Sequence, residues 1–147
     1  MRAVVQRVSR AAVRVGGQTL AAIAQGFVVL IGVGRGDNEA DAEWLADRII
    51  GLRVFADDAG RMNLALDAVR GQLLVISQFT LHADTKQRRP SFVEAAPPDE
   101  ARRLYGLFIS FVRGRRVKVE QGEFGANMEV ELVNDGPVTI ILDSRRR

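Results

Sequence analysis

At 147 residues, 47% of them hydrophobic and 27% charged, the chain has the size and composition of a single soluble globular domain. The absence of cysteine excludes disulfides, thiolate metal sites and thiol redox chemistry, and no uninterrupted apolar stretch approaches the roughly 20 residues of a membrane-spanning helix. The net charge of +3 conceals an arginine-heavy surplus, with a pI near 10.1. It gathers at Lys86, Arg88 and Arg89, at Arg113, Arg115, Arg116 and Lys118, and at Arg145, Arg146 and Arg147. Such clusters suit a phosphate backbone, and they equally suit solvated loops and helix ends.

In chain order, Val4, Val5, Val8, Val13 and Val15 alternate imperfectly before Gly16-Gly17-Gln18 and a second apolar segment from Thr19 to Ala24, which predicts a β-hairpin. Arg2, Gln6, Arg7 and Arg10 break the first segment, so it has no signal-peptide core and a cytoplasmic location is expected. Phe27 to Val33 is almost continuously apolar and β-branched, as in a central strand buried on both faces. Asp37 or Asn38 can cap a helix running to about Gly51, with Leu45, Ile49 and Leu52 as its buried stripe. A short strand from Leu52 to Phe55, the Asp57-Asp58-Ala59-Gly60 turn and a buried strand from Leu73 to Phe79 follow. After a long loop from His82 to Pro98, Pro97-Pro98-Asp99-Glu100 opens a helix whose Leu104, Leu107, Phe108, Phe111 and Val112 share one face. Val117 to Gln121, Met128 to Val133 and Val138 to Leu142 read as closing strands, the last two separated by a turn. Two helices among many strands predict an α+β fold, a mostly antiparallel sheet or barrel carrying the helices, as a single domain over 1–147.

Two segments carry the chemistry. Ser77-Gln78-Phe79-Thr80-Leu81 places hydroxyls and backbone N–H groups where a strand meets a loop, and Asn134-Asp135-Gly136-Pro137-Val138-Thr139 places proline where a sheet tolerates it least. A hydroxyl nucleophile needs a base, and the single histidine, His82, stands two residues beyond Thr80. Thr80, His82 and Asp84 would imitate a triad, yet alternate residues on an extended strand fan apart instead of converging. There is no Walker loop, Cys/His metal site or HExxH pattern, so neither metal nor cofactor is expected.

The two segments, in their order and spacing, resemble the signature of the D-aminoacyl-tRNA deacylases, and the likeness covers essentially the whole chain. It implies hydrolysis of the ester joining a D-amino acid to the 3′ end of tRNA, with aminoacyl-tRNA as partner and Ser77, Gln78, Phe79 and Thr80 as the catalytic segment. Phe79 and Thr80 would offer backbone N–H groups to the substrate. The Thr80 hydroxyl would act as nucleophile or positioning group, or the vicinal 2′-hydroxyl of the terminal ribose would assist water instead. The resemblance also implies a homodimer in which a cis Gly136-Pro137 peptide enters the partner's site, its carbonyls leaving room at the substrate Cα for hydrogen or a D side chain. Arg7 matches the arginine that holds this segment. Gly122 to Met128, including Phe124, Ala126 and Met128, matches a stretch near the adenosine pocket. Lys86 to Phe92 resembles a basic loop, with Gln87 where many members carry glycine.

Two rival readings come from other classes. Gly32-Val33-Gly34-Arg35-Gly36 follows a buried strand like a dinucleotide-binding turn, but its third glycine falls one residue early for G-x-G-x-x-G and the succession of βαβ units is missing. A non-catalytic RNA- or DNA-binding module would account for the basic clusters, although aromatic residues make up only 6% of the chain and give such a module little to stack bases on.

Overall fold

The computed structural model describes residues 1–146; Arg147, the last arginine of the C-terminal run, lies outside them. The elements are β1 (Arg2–Val15), β2 (Gln18–Ile23), β3 (Gly26–Gly32), α1 (Glu39–Ile50), β4 (Phe55–Ala56), β5 (Met62–Leu64), β6 (Gln72–Ser77), α2 (Pro98–Gly114), β7 (Lys118–Gln121) and β8 (Glu129–Asp143). Single 3-10 turns follow β6 and β8. The expected hairpin, central strand and two helices are present. The expected Leu52 to Phe55 strand shrinks to Phe55–Ala56 paired with β5 in a separate small sheet.

The main sheet runs β2-β1-β3-β6-β7, with β8 laid along the other edge of β1 so that the sheet curls into a nearly closed barrel. It is mixed, not mostly antiparallel: β1 pairs antiparallel with β2, β3 and β8, while β3–β6 and β6–β7 are parallel. The reason lies in the connections. A parallel pair needs a long crossover, and α1 and α2 supply the two that are required. Gly26 sits where β3 meets β6, and a Cβ there would fall 1.9 Å from the Gln72 carbonyl oxygen, so only glycine lets the parallel pair start at this register.

Alternate residues of the paired strands divide between two cores. Phe27, Val29, Ile31, Leu73 and Val75 meet the helices, and Val28, Leu74 and Ile76 meet Val8, Val13, Met128 and Val130 inside the barrel. This double burial is what their continuous apolar runs encode. Helix α1 starts at Asn38, whose side chain accepts from Ala40 N (2.9 Å) while the Asp41 carboxylate accepts from Asn38 N (2.8 Å). It buries Ala42, Leu45, Ala46 and Ile49; Leu52 falls just beyond its end. Helix α2 has Pro98 as its first residue and buries Ala101, Leu104, Tyr105, Phe108, Ile109 and Val112.

After Ser77 the chain leaves the sheet and turns through a 3-10 helix, Phe79–His82, instead of continuing as strand to Phe79. His82 is thereby folded inward. Its ring lies against β3 and the following loop so closely that a Cβ on Gly34 would come within 2.6 Å of Cε1, and its Nε2 is buried without a hydrogen-bond partner among the described residues. Burial pushes the imidazole pKa below its ordinary 6.5, against the smaller upward pull of a hydrogen bond with the Gly32 backbone. His82 is therefore neutral in the fold, and the unfolded chain takes up a proton first. The stability linked to it is complete above pH 6.5 and is lost as the pH falls below that value. Urea titrations of the wild type and His82→Gln from about pH 7.5 to 5.5 should show the wild type losing stability relative to the variant; a difference that stays constant would show that folding does not alter the titration of His82.

Candidate active site

A cleft of about 800 Å³ opens at the carboxyl ends of the parallel strands β3 and β6, between the start of α2 and the segment joining β7 to β8. This is the end of an α/β sheet where strands stop and ligands are generally received. Much of its lining is apolar, with Ile31, Val33, Ile76, Tyr105, Phe124 and Met128, and polar side chains enter at Ser77 and Gln78 on the β6 side, at Arg35 after β3 and at Asn127. The volume is that of a site for one small ligand or one end of a large one.

The turn after β6 decides what that polar side can do. Gln78 N is held by the Ile31 carbonyl (2.7 Å), and Leu81 N reaches back to the Gln78 carbonyl (3.2 Å). The N–H groups of Phe79 and Thr80 thus stand at the open first turn of the 3-10 helix, where no internal carbonyl can receive them. The Thr80 hydroxyl accepts from Gln78 Nε2 at 2.5 Å. His82 is buried on the inner side of the same turn, so Thr80, His82 and Asp84 form no relay. Tyr105 brings a further hydroxyl to the cleft, beside that of Ser77; it donates to the Val75 carbonyl at 2.9 Å, and burial pushes its phenol far above the usual range, so it stays protonated.

Asn134 to Thr139 is not a turn between two strands. One strand, β8, runs through it, and four residues, Asp135 to Val138, stand opposite the single residue Arg7 of β1. Pairing resumes on either side, Val8 with Asn134 and Gln6 with Thr139. The base of this bulge is closed by Asn134, whose Oδ1 accepts from Val138 N (2.8 Å) and whose Nδ2 donates to the Val138 carbonyl (3.2 Å). Arg7 donates through Nε to the Asp135 carbonyl (2.9 Å) and through Nη1 to the Val54 carbonyl. Proline is accommodated because a bulge asks for no ladder N–H. The Gly136-Pro137 peptide is cis, and Gly136 has φ +142° with no room for a side chain, since a Cβ would lie 2.7 Å from Val138 Cγ2.

The structure brings Ser77, Gln78 and Phe79 together with Phe124, Ala126 and Met128 around one cleft, with Thr80 on the turn beside it. It brings Arg7, Gly136 and Pro137 together elsewhere: these three do not line the cleft of their own chain, and Gly136 and Pro137 are exposed. Sequence reading missed Val33, Arg35, Phe92, Ala95, Pro98 and Tyr105 as lining residues. They come from the segment after β3, the connection between β6 and α2, and the first half of α2, positions that gain meaning only once β3 and β6 are known to be parallel.

Residues 4–143 match the family model described as D-Tyr-tRNA(Tyr) deacylase. The chain is 60% identical over 148 residues to a D-aminoacyl-tRNA deacylase of Dehalococcoides mccartyi, covering 100% of this chain and 97% of the relative. It is 54% identical to one of Thermotoga petrophila, covering 99% of each. Among solved structures it resembles the c-Myc DNA Unwinding Element Binding Protein, with a TM-score of 0.92 and 39% identity over 97% of this chain and 98% of that one. A probable eukaryotic D-amino acid tRNA deacylase gives 0.83 over 96% and 97%, and at 16% identity it speaks for the fold alone. No described helix is long and apolar enough to cross a membrane. The chain therefore belongs to the D-aminoacyl-tRNA deacylase family, enzymes that hydrolyse the ester bond between an amino acid and its tRNA.

Proposed function

We propose that residues 1–147 act as one domain in a cytoplasmic, homodimeric proofreading enzyme that frees tRNA of D-amino acids and glycine and spares L-aminoacyl-tRNA. The observation that carries the reading is the separation of the two motifs: the Ser77–Thr80 cleft and the rigid Gly136-Pro137 bulge lie apart in one chain, and the bulge projects from the sheet. Two copies exchanging bulges would complete two sites. In each, the carbonyls of Gly136 and Pro137 would face the substrate Cα, on a segment tied at Asp135 by the Arg7 side chain and at Val138 by the Asn134 side chain, and backbone carbonyls do not rotate away as a side chain does. An L side chain meets these carbonyls; hydrogen or a D side chain does not.

On this reading the ester carbonyl receives the N–H groups of Phe79 and Thr80, which lie where negative charge develops as water attacks. Among the described residues no side-chain base stands beside Thr80, so the terminal ribose 2′-hydroxyl is the group left to assist the water, and the protein contributes position and electrostatics. Phe124, Ala126 and Met128 would bound the terminal nucleoside.

Incubation with matched D-, L- and glycyl-tRNA tests the selectivity: release of D-amino acid and glycine with L-aminoacyl-tRNA left intact is expected, and equal hydrolysis of all three, or of none, would overturn the reading. Arg7→Gln should narrow the D-to-L ratio by about tenfold or more, because loss of a charge-assisted anchor costs about 1.5–3 kcal/mol and frees the bulge. Thr80→Ala separates the two chemical roles. With the substrate hydroxyl assisting, its kcat should stay within about tenfold of wild type in single-turnover assays, whereas removal of a true nucleophile lowers kcat by several orders of magnitude.

A further inference from the structure

The exposed face of the cleft mouth carries a feature that ester hydrolysis does not use. Phe79 is 57% exposed, an unusual state for a ring that could have turned into the apolar cleft beside it. Phe92, 13 residues further along the chain, meets it edge-on, with ring centroids 5.1 Å apart and planes at 74°. Val93, next to Phe92, is 62% exposed. The rings are fixed from both ends. Phe79 is carried by the turn that β6 feeds, and the Phe92 segment is tied to the end of β3, where Arg35 N bonds the Glu94 carbonyl (2.9 Å) and the Arg35 guanidinium bonds the Val93 carbonyl.

Cations border the same rings. Asp84 and Ser91 pair through two backbone hydrogen bonds of 2.8 and 3.0 Å, closing a loop that ends one residue before Phe92. Arg88 and Arg89 occupy this loop, both exposed, and neither makes an ion pair among the described residues. Arg88, Arg89 and Phe92 are near neighbours in sequence; the fold adds Phe79 from the turn after β6 and sets the group at the mouth of the cleft. Exposed aromatic rings beside unpaired arginines are the combination by which proteins hold single-stranded nucleic acid, through base stacking and phosphate contact.

We infer that Phe79 and Phe92 form a stacking platform for the base that precedes the terminal nucleoside of the tRNA, and that Arg88 and Arg89 receive the phosphates on its 5′ side. The assignment rests on placing the aminoacylated nucleoside inside the cleft. With the terminal nucleoside buried there, the strand must leave over the rim, and the rim in that direction is aromatic and cationic. The platform would hold the acceptor end without reading its sequence, since every base has a face to stack.

The test uses the full chain and a short RNA whose terminal A is preceded by 2-aminopurine in place of C. Binding should quench its fluorescence, and Phe92→Leu, which keeps apolar bulk and removes the ring, should abolish the quench. In hydrolysis assays Phe92→Leu should raise the ratio of KM for D-aminoacyl-tRNA to KM for D-aminoacyl-adenosine by about tenfold, the scale of one lost stacking contact. Phe92→Trp should restore it. The Arg88→Gln/Arg89→Gln double variant should flatten the slope of log K against log salt by about 1.4, two phosphates at about 0.7 each for a single strand. An unchanged KM ratio in Phe92→Leu, a quench that survives it, or a quench seen only with 2-aminopurine at the terminal position overturns the platform. A salt slope unchanged in the double variant overturns the phosphate contacts. Dissociation of the protein into smaller species on Phe92→Leu, without a quench in the wild type, would assign the rings to a contact between copies. Because the quench needs no turnover, it fails independently of the ester's placement in the cleft.

Discussion

The structure is organised around β1 and the obligation to satisfy its backbone on both edges. Its 14 residues pair with β3 and then β2 along one edge and with β8 along the other. Buried peptide groups left unpaired are costly, so a strand in this position cannot be interrupted freely. At Arg7 the ladder to β8 is nevertheless broken by three extra residues, four standing opposite one. Side chains replace what the ladder loses: Asn134 supplies a donor and an acceptor to Val138, and Arg7 binds the Asp135 carbonyl from across the gap. The bulge is thus a fixed excursion with its own hydrogen bonding, built from the same strand that holds the barrel together.

That constraint explains which parts were legible in the sequence. The hairpin at Gly16-Gly17, the capped helix after Asn38 and the apolar stripe of α2 follow from local chemistry, and each is found where its residues place it. The Ser77 to Leu81 segment was visible as a strand end, but Phe79 does not continue the strand, because after Ser77 the chain turns and buries His82 beside Gly32 and Gly34. The parallel order was hidden for a different reason. Phe27 to Val33 and Leu73 to Ile76 announce burial on both faces, which a strand inside a mixed sheet and one inside a barrel share. Asn134 to Pro137 has the composition of a turn, and only the register against β1 distinguishes a turn from a bulge. Phe92 was read only as the end of a basic loop and Tyr105 belonged to no motif, since a loop and a helix meet the strand ends only after folding.

The parallel pair also explains why the cleft is where it is. Antiparallel partners close their ends with short turns, whereas β3 and β6 both release the chain at the same end, towards Val33 and towards Gln78. Two strand ends, the start of α2 and the Phe124 segment then surround a space that no side chain fills. On the proposed reading its chemistry is mostly backbone. Tyr105 is engaged by Val75 and held protonated, His82 is folded away, and Thr80 is bonded to Gln78, so the side chains that ordinarily carry acid–base work are occupied in supporting the walls.

A site of this kind suits a task defined by handedness. Side-chain pockets discriminate by size and polarity, and a pocket wide enough for several D side chains would also admit many L ones, since adding or removing a methylene changes binding by only about 1–3 kcal/mol. Handedness is a property of the Cα, which every substrate shares, so the discriminating surface has to stand at the Cα and must not yield. In the proposed gate, the carbonyls of Gly136 and Pro137, on a segment tied at Asp135 by Arg7 and at Val138 by Asn134, would meet that requirement better than a rotatable side chain. The proposed mode of selection carries its own limit: a surface that excludes an L substituent has nothing to exclude in glycine, so the proposal entails acceptance of glycine.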